Sequence, residues 1–231
     1  MNDLLAPDLF DRIEPGARKA SKRQILRSAL ACFDELGVDA TPIDTIRERA
    51  SSSIGSIYHH FGNKEGLIAA LYLAALDDQI ALMLPAMNKA ATPKAAIAAL
   101  IQAYLRWVTQ QPELARFLFQ VRHSVATGPR REELTERNKQ RYQALLSWLK
   151  QGVKEGSIRA LPSETYASLL IGQAENYCKA WLSGRVKGRP LDYAETFTEA
   201  AWRSVGHGSP HPGGWDEHRG QRGVDEDRRG A

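Results

Sequence analysis

The sequence predicts an all-α protein: a short three-helix module at the front and a bundle of longer helices behind it. Three observations carry that expectation. Apolar residues recur at i, i+3, i+4 and i+7 along most of the chain. No run alternates with period two between hairpin signals. The breaks carry helix punctuation, with Gly or Asn at stops and Thr-Pro at starts.

Taken in order, residues 1–20 read as a polar leader. Residues 24–36, "QILRSALACFDEL", put Ile25, Ala29, Phe33 and Leu36 on one stripe, and Gly37 follows as a left-handed cap. In "TPID", Thr41 stands as an N-cap, Pro42 at the first helical position and Asp44 as a capping-box acceptor. Ile43, Ile46 and Ala50 form a short stripe. The turn Ser51–Ser53 leads into "IGSIYHHF", whose Ile54, Ile57, Tyr58 and Phe61 share one face. Asn63 caps a helix over 64–84, which Pro85 should end. Further helices are expected over 93–109, from "QQP" onward, over 130–153, 164–182 and 191–205, about nine in all. The tail, 206–231, is rich in Gly, His, Arg and Asp and is expected to be disordered. The division is therefore 1–20 leader, 21–66 front module, 67–205 bundle and 206–231 tail.

Composition narrows the function. With 231 residues, 43% hydrophobic and 25% charged, the chain can bury a substantial core, and its net charge of +4 permits a nucleic-acid partner. Two cysteines, Cys32 and Cys178, make no disulfide framework and lack zinc-ligand spacing. No secretory signal opens the chain, and no stretch approaches the roughly 20 apolar residues of a membrane span. A cytoplasmic protein with no membrane partner is expected. Enzyme motifs are missing: no His-Glu-x-x-His, no phosphate-cradling Gly-rich loop after a strand, no Gly-x-Ser-x-Gly elbow. His59 and His60 diverge by about 100° around a helix and have no third ligand nearby, so no metal is expected, and no cofactor.

The front module carries the functional signal. The helix 54–61 is too short to stand alone and must be held by its apolar face. Its other face then points outward. Ser53 and the first-turn amides attract anions, Gly55 and Ser56 permit close approach, and His59, the Tyr58 hydroxyl and Lys64 can grip phosphates. Such a helix enters a DNA groove. Arg18, Lys19, Lys22, Arg23 and Arg27 form a basic flank with no acid between them. The same faces also read as ordinary core and solvated surface.

"TPIDTIRERASSSIGSIYHHFGNKEGLIAALY" resembles the DNA-binding signature of TetR-type transcriptional regulators. The resemblance covers 22–72 closely, and beyond it only helix number and length agree. The Thr41 cap, Ile46 to Ala50, Ile57-Tyr58-x-x-Phe61 and Asn63-Lys64-Glu65 all fall in register. One position departs, since the family usually has Gly where Ser51 stands. The resemblance implies DNA contacts from Thr41, Ser53, Ser56, Tyr58, His59 and Lys64, with Ile54 and Gly55 opening the recognition helix. It implies a dimer on a palindromic double-stranded operator, a repressor released by a small-molecule effector. A helical protein–protein adaptor that has lost DNA binding is the alternative, separated by the steep salt dependence of a DNA reader.

In the bundle, 164–182 is apolar over a wide arc. Tyr166, Leu170, Ile171, Ala174, Tyr177 and Trp181, with Phe197 and Ala201 of the last helix, are expected to form the homodimer interface. Aromatic and polar groups are interspersed in the middle helices, as in a small-molecule pocket, although an aromatic stripe also reads as plain core. The pocket candidates are Tyr104, Trp107, Phe117, Arg122, His123, Trp148 and Asn176. Arg122 and His123 point to an anionic or carbonyl-bearing effector. The helix 64–84 is the long element common to both modules, on which a ligand would push.

Overall fold

A computed structural model describes residues 9–207. The described chain is helical with no strand, apart from an isolated antiparallel bridge between Ile158 and Gly206. Ten α-helices follow one another: α1 Leu9–Ile13, α2 Ala20–Leu36, α3 Ile43–Arg49, α4 Ile54–Phe61 and α5 Lys64–Asn88 come first. Then come α6 Pro93–Gln110, α7 Pro112–Thr127, α8 Arg131–Lys154, α9 Gln173–Leu182 and α10 Ala194–Val205. A π-helical turn, Ser168–Gly172, leads directly into α9. The expected tail lies outside the described residues, except for Gly206 and His207.

The front module forms as its pattern dictates. Ile25, Leu26 and Ala29 of α2, Ile46 of α3, Ile57 of α4 and Leu67 of α5 are all fully buried against one another's elements. Asn63 caps α5 by accepting the Gly66 amide at 2.7 Å, and Thr92 caps α6 by accepting that of Ala95 at 3.2 Å.

Four expectations are corrected. The leader is not merely polar: α1 packs on α2 and α5, with Leu9 and Phe10 buried. Pro85 does not end α5, which runs on through Asn88. The lost amide costs one bond in the last turn, and Met87, 1% exposed, anchors that turn in the core. α5 is also long and apolar enough by composition to cross a bilayer. It packs instead against α6, α7 and α8, with Asp78 ion-paired inside the fold and the half-exposed Asp77 ion-paired to α8. Finally, α5 is not the only long helix common to both modules. α7 reaches α2 through the stacked rings of Phe33 and Phe117, 5.6 Å apart and 4° from parallel, and through a two-pronged bond from Arg116 to Asp34.

Buried charge fixes the remaining angles. Asp78 accepts Arg12 of α1 through both oxygens, at 2.9 and 3.1 Å, and the Trp107 indole of α6 at 2.9 Å. Arg141 of α8 reaches Asp77 at 2.5 Å and the Leu73 carbonyl at 3.0 Å. Three helices are thus tied to α5 by bonds with little tolerance for sliding.

Candidate nucleic-acid interface and effector cavity

The outward surface of the front module is α4 and its flanks. The α3–α4 turn closes with Ser51 in the left-handed region, φ +48°, the position where the related signature carries glycine. Ser53 caps α4, its Oγ accepting the Ser56 amide at 3.1 Å. A hydroxyl that accepts one bond still has its proton to donate. Ile57 and Phe61 are buried, while Ile54 is 37% and Tyr58 47% exposed. His59 is exposed beside them. A Cβ at Gly55 would meet only the Ser53 Oγ, at 3.9 Å, so the fold itself does not ask for glycine there. Lys64 is held by the Asp39 carbonyl at 3.1 Å and keeps further protons to donate. Desolvation, then the His59 and Lys22 charges, hold His60 below the usual histidine value.

Thr41 departs from this surface. It is fully buried, and its hydroxyl donates to the carbonyls of Gly37 at 2.6 Å and Cys32 at 3.2 Å. Pro42 takes the N-cap of α3 instead. Thr41 closes the end of α2, where carbonyls lack helical partners, and its side chain does not face a ligand. The basic flank is also committed: Lys19 and Lys22 pair with Glu14, and Arg23 with Asp11 at 2.9 Å and two carbonyls. The acids come from the leader, close in space but outside the run of cations.

The bundle contains a cavity of about 460 Å³ between α5, α6, α7, α8 and the π-helical turn. Leu76, Ile80, Met83 and Leu170 make its apolar wall; Tyr72, Tyr104 and Tyr142 contribute phenols. Arg122 meets Glu175 in a two-pronged pair at 2.8 and 2.9 Å, and Lys179 also reaches Glu175 at 2.8 Å. Burial alone would raise the Glu175 carboxyl; the bonds from Arg122 and Lys179 outweigh it and hold it below the usual carboxylate range. Burial pushes all three phenols upward and the neighbouring Cys178 thiol to about 12, so these groups are neutral near pH 7.

A profile described as "Bacterial regulatory proteins, tetR family" matches residues 25–71, and one described as "Tetracyclin repressor-like, C-terminal domain" matches 90–205. The chain belongs to the TetR family. It is a DNA-binding, ligand-responsive transcriptional regulator and not an enzyme. The repressor KstR2 of Mycobacterium tuberculosis is 28% identical over 150 residues, 65% of this chain and 74% of that protein. Two solved structures have the same fold. A TetR-family regulator from Marinobacter aquaeolei aligns over 82% of this chain and 98% of its own, at TM-score 0.70 and 24% identity. FadR of Bacillus subtilis, in complex with stearoyl-CoA, aligns over 78% and 97%, at 0.68 and 21%.

Within this TetR-family chain, the pocket candidates divide. Tyr104 and Arg122 line the cavity. Trp107 is fully buried with its indole spent on Asp78, and Phe117 is spent on Phe33. His123 and Asn176 are exposed on other sides of their helices, and Trp148 packs on the core without reaching the cavity. Tyr72, Gln79, Asn138 and Ser168 were missed. A signal existed for two of them: Tyr72 and Gln79 share the stripe Leu76, Ile80, Met83 on α5, where polar atoms on an apolar face need a reason.

The dimer candidates divide as well. Tyr166, Leu170, Ala174 and Ala201 are buried within the single chain, so they have no surface to offer a partner. Tyr166 donates to the Arg159 carbonyl at 2.6 Å, and Leu170 lines the cavity. Ile171, Tyr177, Trp181 and Phe197 remain half-buried. Tyr177 meets Phe197 and the 40%-exposed Tyr193 with ring centroids 5.5 and 5.2 Å apart.

Proposed function

We propose that this chain is a cytoplasmic repressor that binds a palindromic operator as a homodimer and is released when a small molecule enters the cavity. The observation that carries the release step is α7. Arg122 and Ala126 of this helix line the cavity, while its Arg116 and Phe117 hold α2 of the reading module. A ligand that shifts α7 shifts the support of α4. α5, with Tyr72 and Met83 in the wall and its first turn under α4, provides a second path. The two reading helices of a dimer must sit about one DNA turn, roughly 34–36 Å, apart. Displacement by about an ångström spoils such a register, and coupling of about 1–3 kcal/mol corresponds to a 5- to 150-fold change in affinity. The solved FadR relative, which holds stearoyl-CoA, supports a bundle that takes a ligand. The module boundaries follow 21–66 for reading and 67–205 for sensing and pairing, with the half-buried Tyr177, Trp181 and Phe197 turned to the partner and Ile171 in the cavity wall.

Reading falls to Ser53, Ile54, Gly55, Ser56, Tyr58, His59 and Lys64. Gly55→Ala separates surface from scaffold. Alanine in a helix is favoured over glycine by about 0.5–1 kcal/mol, and the position is uncrowded. The variant is expected to unfold at equal or higher denaturant and to lose affinity for DNA selected from a random pool by the wild-type protein. Lys64→Ala is expected to weaken all sequences alike and to lower the salt slope by about 1. Unchanged DNA affinity in Gly55→Ala would remove α4 from the groove.

A further inference from the structure

One residue of the cavity wall carries a buried polar atom with no partner among the described residues. Tyr104 is 3% exposed, and its Oη makes no hydrogen bond within the described chain. A buried hydroxyl left unpaired costs stability, and proteins rarely keep one without a use. The lining's cation and acid, Arg122 and Glu175, bond to each other through both prongs, and Lys179 braces Glu175 from outside the lining. An anionic ligand would have to break that pair. A neutral oxygen would meet no such cost and would find a phenol ready to donate. Cys178, beside the phenol, is a neutral thiol and adds no charge there.

We infer that the effector is a largely apolar molecule that inserts a neutral carbonyl oxygen (a ketone or a thioester) against Tyr104 Oη, leaving the Arg122–Glu175 pair intact. The inference rests on reading the cavity as the effector site. The carbonyl narrows the two options left open by the sequence, anion or carbonyl, to the second. About 460 Å³ is within the range of pockets, roughly 300–1,000 Å³, that enclose drug-sized ligands. A polycyclic ketone and a long acyl thioester present the same chemistry from two sources.

The test uses the full chain and three probes: a saturated steroid monoketone, the same skeleton without the oxygen, and a palmitoyl thioester. Dissociation constants and thermal midpoints are measured for wild type, Tyr104→Phe and Gly172→Leu. Tyr104→Phe is expected to keep or raise the midpoint of the free protein, since no bond inside the chain is lost. It is expected to bind the preferred carbonyl probe about two- to twelvefold more weakly, and the hydrocarbon unchanged. Whichever carbonyl probe binds wild type more tightly identifies the source. A lowered midpoint for Tyr104→Phe, equal affinity for the carbonyl probe, or a wild type that binds neither carbonyl overturns the inference. Gly172→Leu fills the cavity from a wall position where a Cβ meets only ordinary contact. Probes that bind this variant as well as wild type would move the effector site elsewhere, and so overturn the parent reading rather than the carbonyl.

Discussion

The reading surface and the cavity hold their polar groups by different means. Around α4, the caps are local: Ser53 to the Ser56 amide and Asn63 to the Gly66 amide each span three residues, while Lys64 reaches further, to the Asp39 carbonyl. In and around the cavity they join distant parts of the chain: Arg122 and Glu175 are 53 residues apart, Arg141 and Asp77 64, Arg12 and Asp78 66. A local bond forms whenever its helix forms. A distant one exists only if the whole bundle is assembled, and a change at either end is felt at the other. The first arrangement suits a rigid surface to be presented intact; the second suits a site whose occupancy must be felt elsewhere.

The contrast is sharpest at Asp78. Its carboxylate is 4% exposed and satisfies both Arg12 and the buried indole of Trp107. Asp78→Ala leaves both donors stranded, and the expected loss is about 3 kcal/mol in urea unfolding, with α1 released from α5. A loss under about 1 kcal/mol would mean the distant bonds are no more consequential than a helix cap.

Acidification probes the same class of bond more gently. The Glu175 carboxyl is held below its ordinary value of 4.5, so its contribution is fully present above that value and disappears as pH falls through the lower, folded one. The difference in stability between wild type and Glu175→Gln should be constant near neutrality and shrink below pH 4.5. A constant difference down to the acid transition would show that the Arg122 pair contributes nothing. Other acids, Glu14 among them, titrate in both proteins and cancel in the comparison.

The smallest effects belong to the local bonds. Ser53→Ala is expected to cost about 1 kcal/mol, the usual worth of an N-cap. Ser51 sits at φ +48°, where a side chain costs about 1–2 kcal/mol. Ser51→Gly should recover about 1 kcal/mol without altering the DNA-facing groups. If Ser53→Ala were as damaging as Asp78→Ala in chemical denaturation, the distinction between local and distant bonding would collapse.

The same distinction explains what could be read in advance. Ile54, Ile57, Tyr58 and Phe61 share one face by helical period, yet only Ile57 and Phe61 are buried, while Ile54 is 37% and Tyr58 47% exposed: periodicity gives the face, and the neighbouring helices decide how much of it is covered. Thr41 shows the limit: Thr-Pro has the form of a cap, but the hydroxyl turned back to Gly37, a choice made by the packing of α2 on α3. In the bundle, Tyr104 and Trp107 are three residues apart on one helix and equally buried. Only the distant partner tells them apart: Asp78 accepts from the indole, and nothing in the described chain bonds the phenol. Tyr166 and Leu170 looked surplus to a single core because the chain that covers them, 157–161 and α6, cannot be placed from periodicity. The leader was the largest omission, for Leu9, Phe10 and Arg12 form too short a pattern to announce a helix.

The π-helical turn at Ser168–Gly172 makes chain length itself a determinant of the cavity. Ala167, Ser168, Leu170, Ile171 and Gly172 all face it from a turn wider than an α-helical one. The wider turn accommodates one residue more than an α-helical turn does, so deleting one residue there would restore α-helical winding and leave the residues beyond it on nearly the same face. Glu175 would still face Arg122, while the wall formed by the turn would draw in and lose one side chain. A substitution changes one side chain of this cavity; a one-residue deletion would narrow a whole wall in a single step with the ion pair beyond it kept, offering a lineage a short route from a broad effector to a slimmer one.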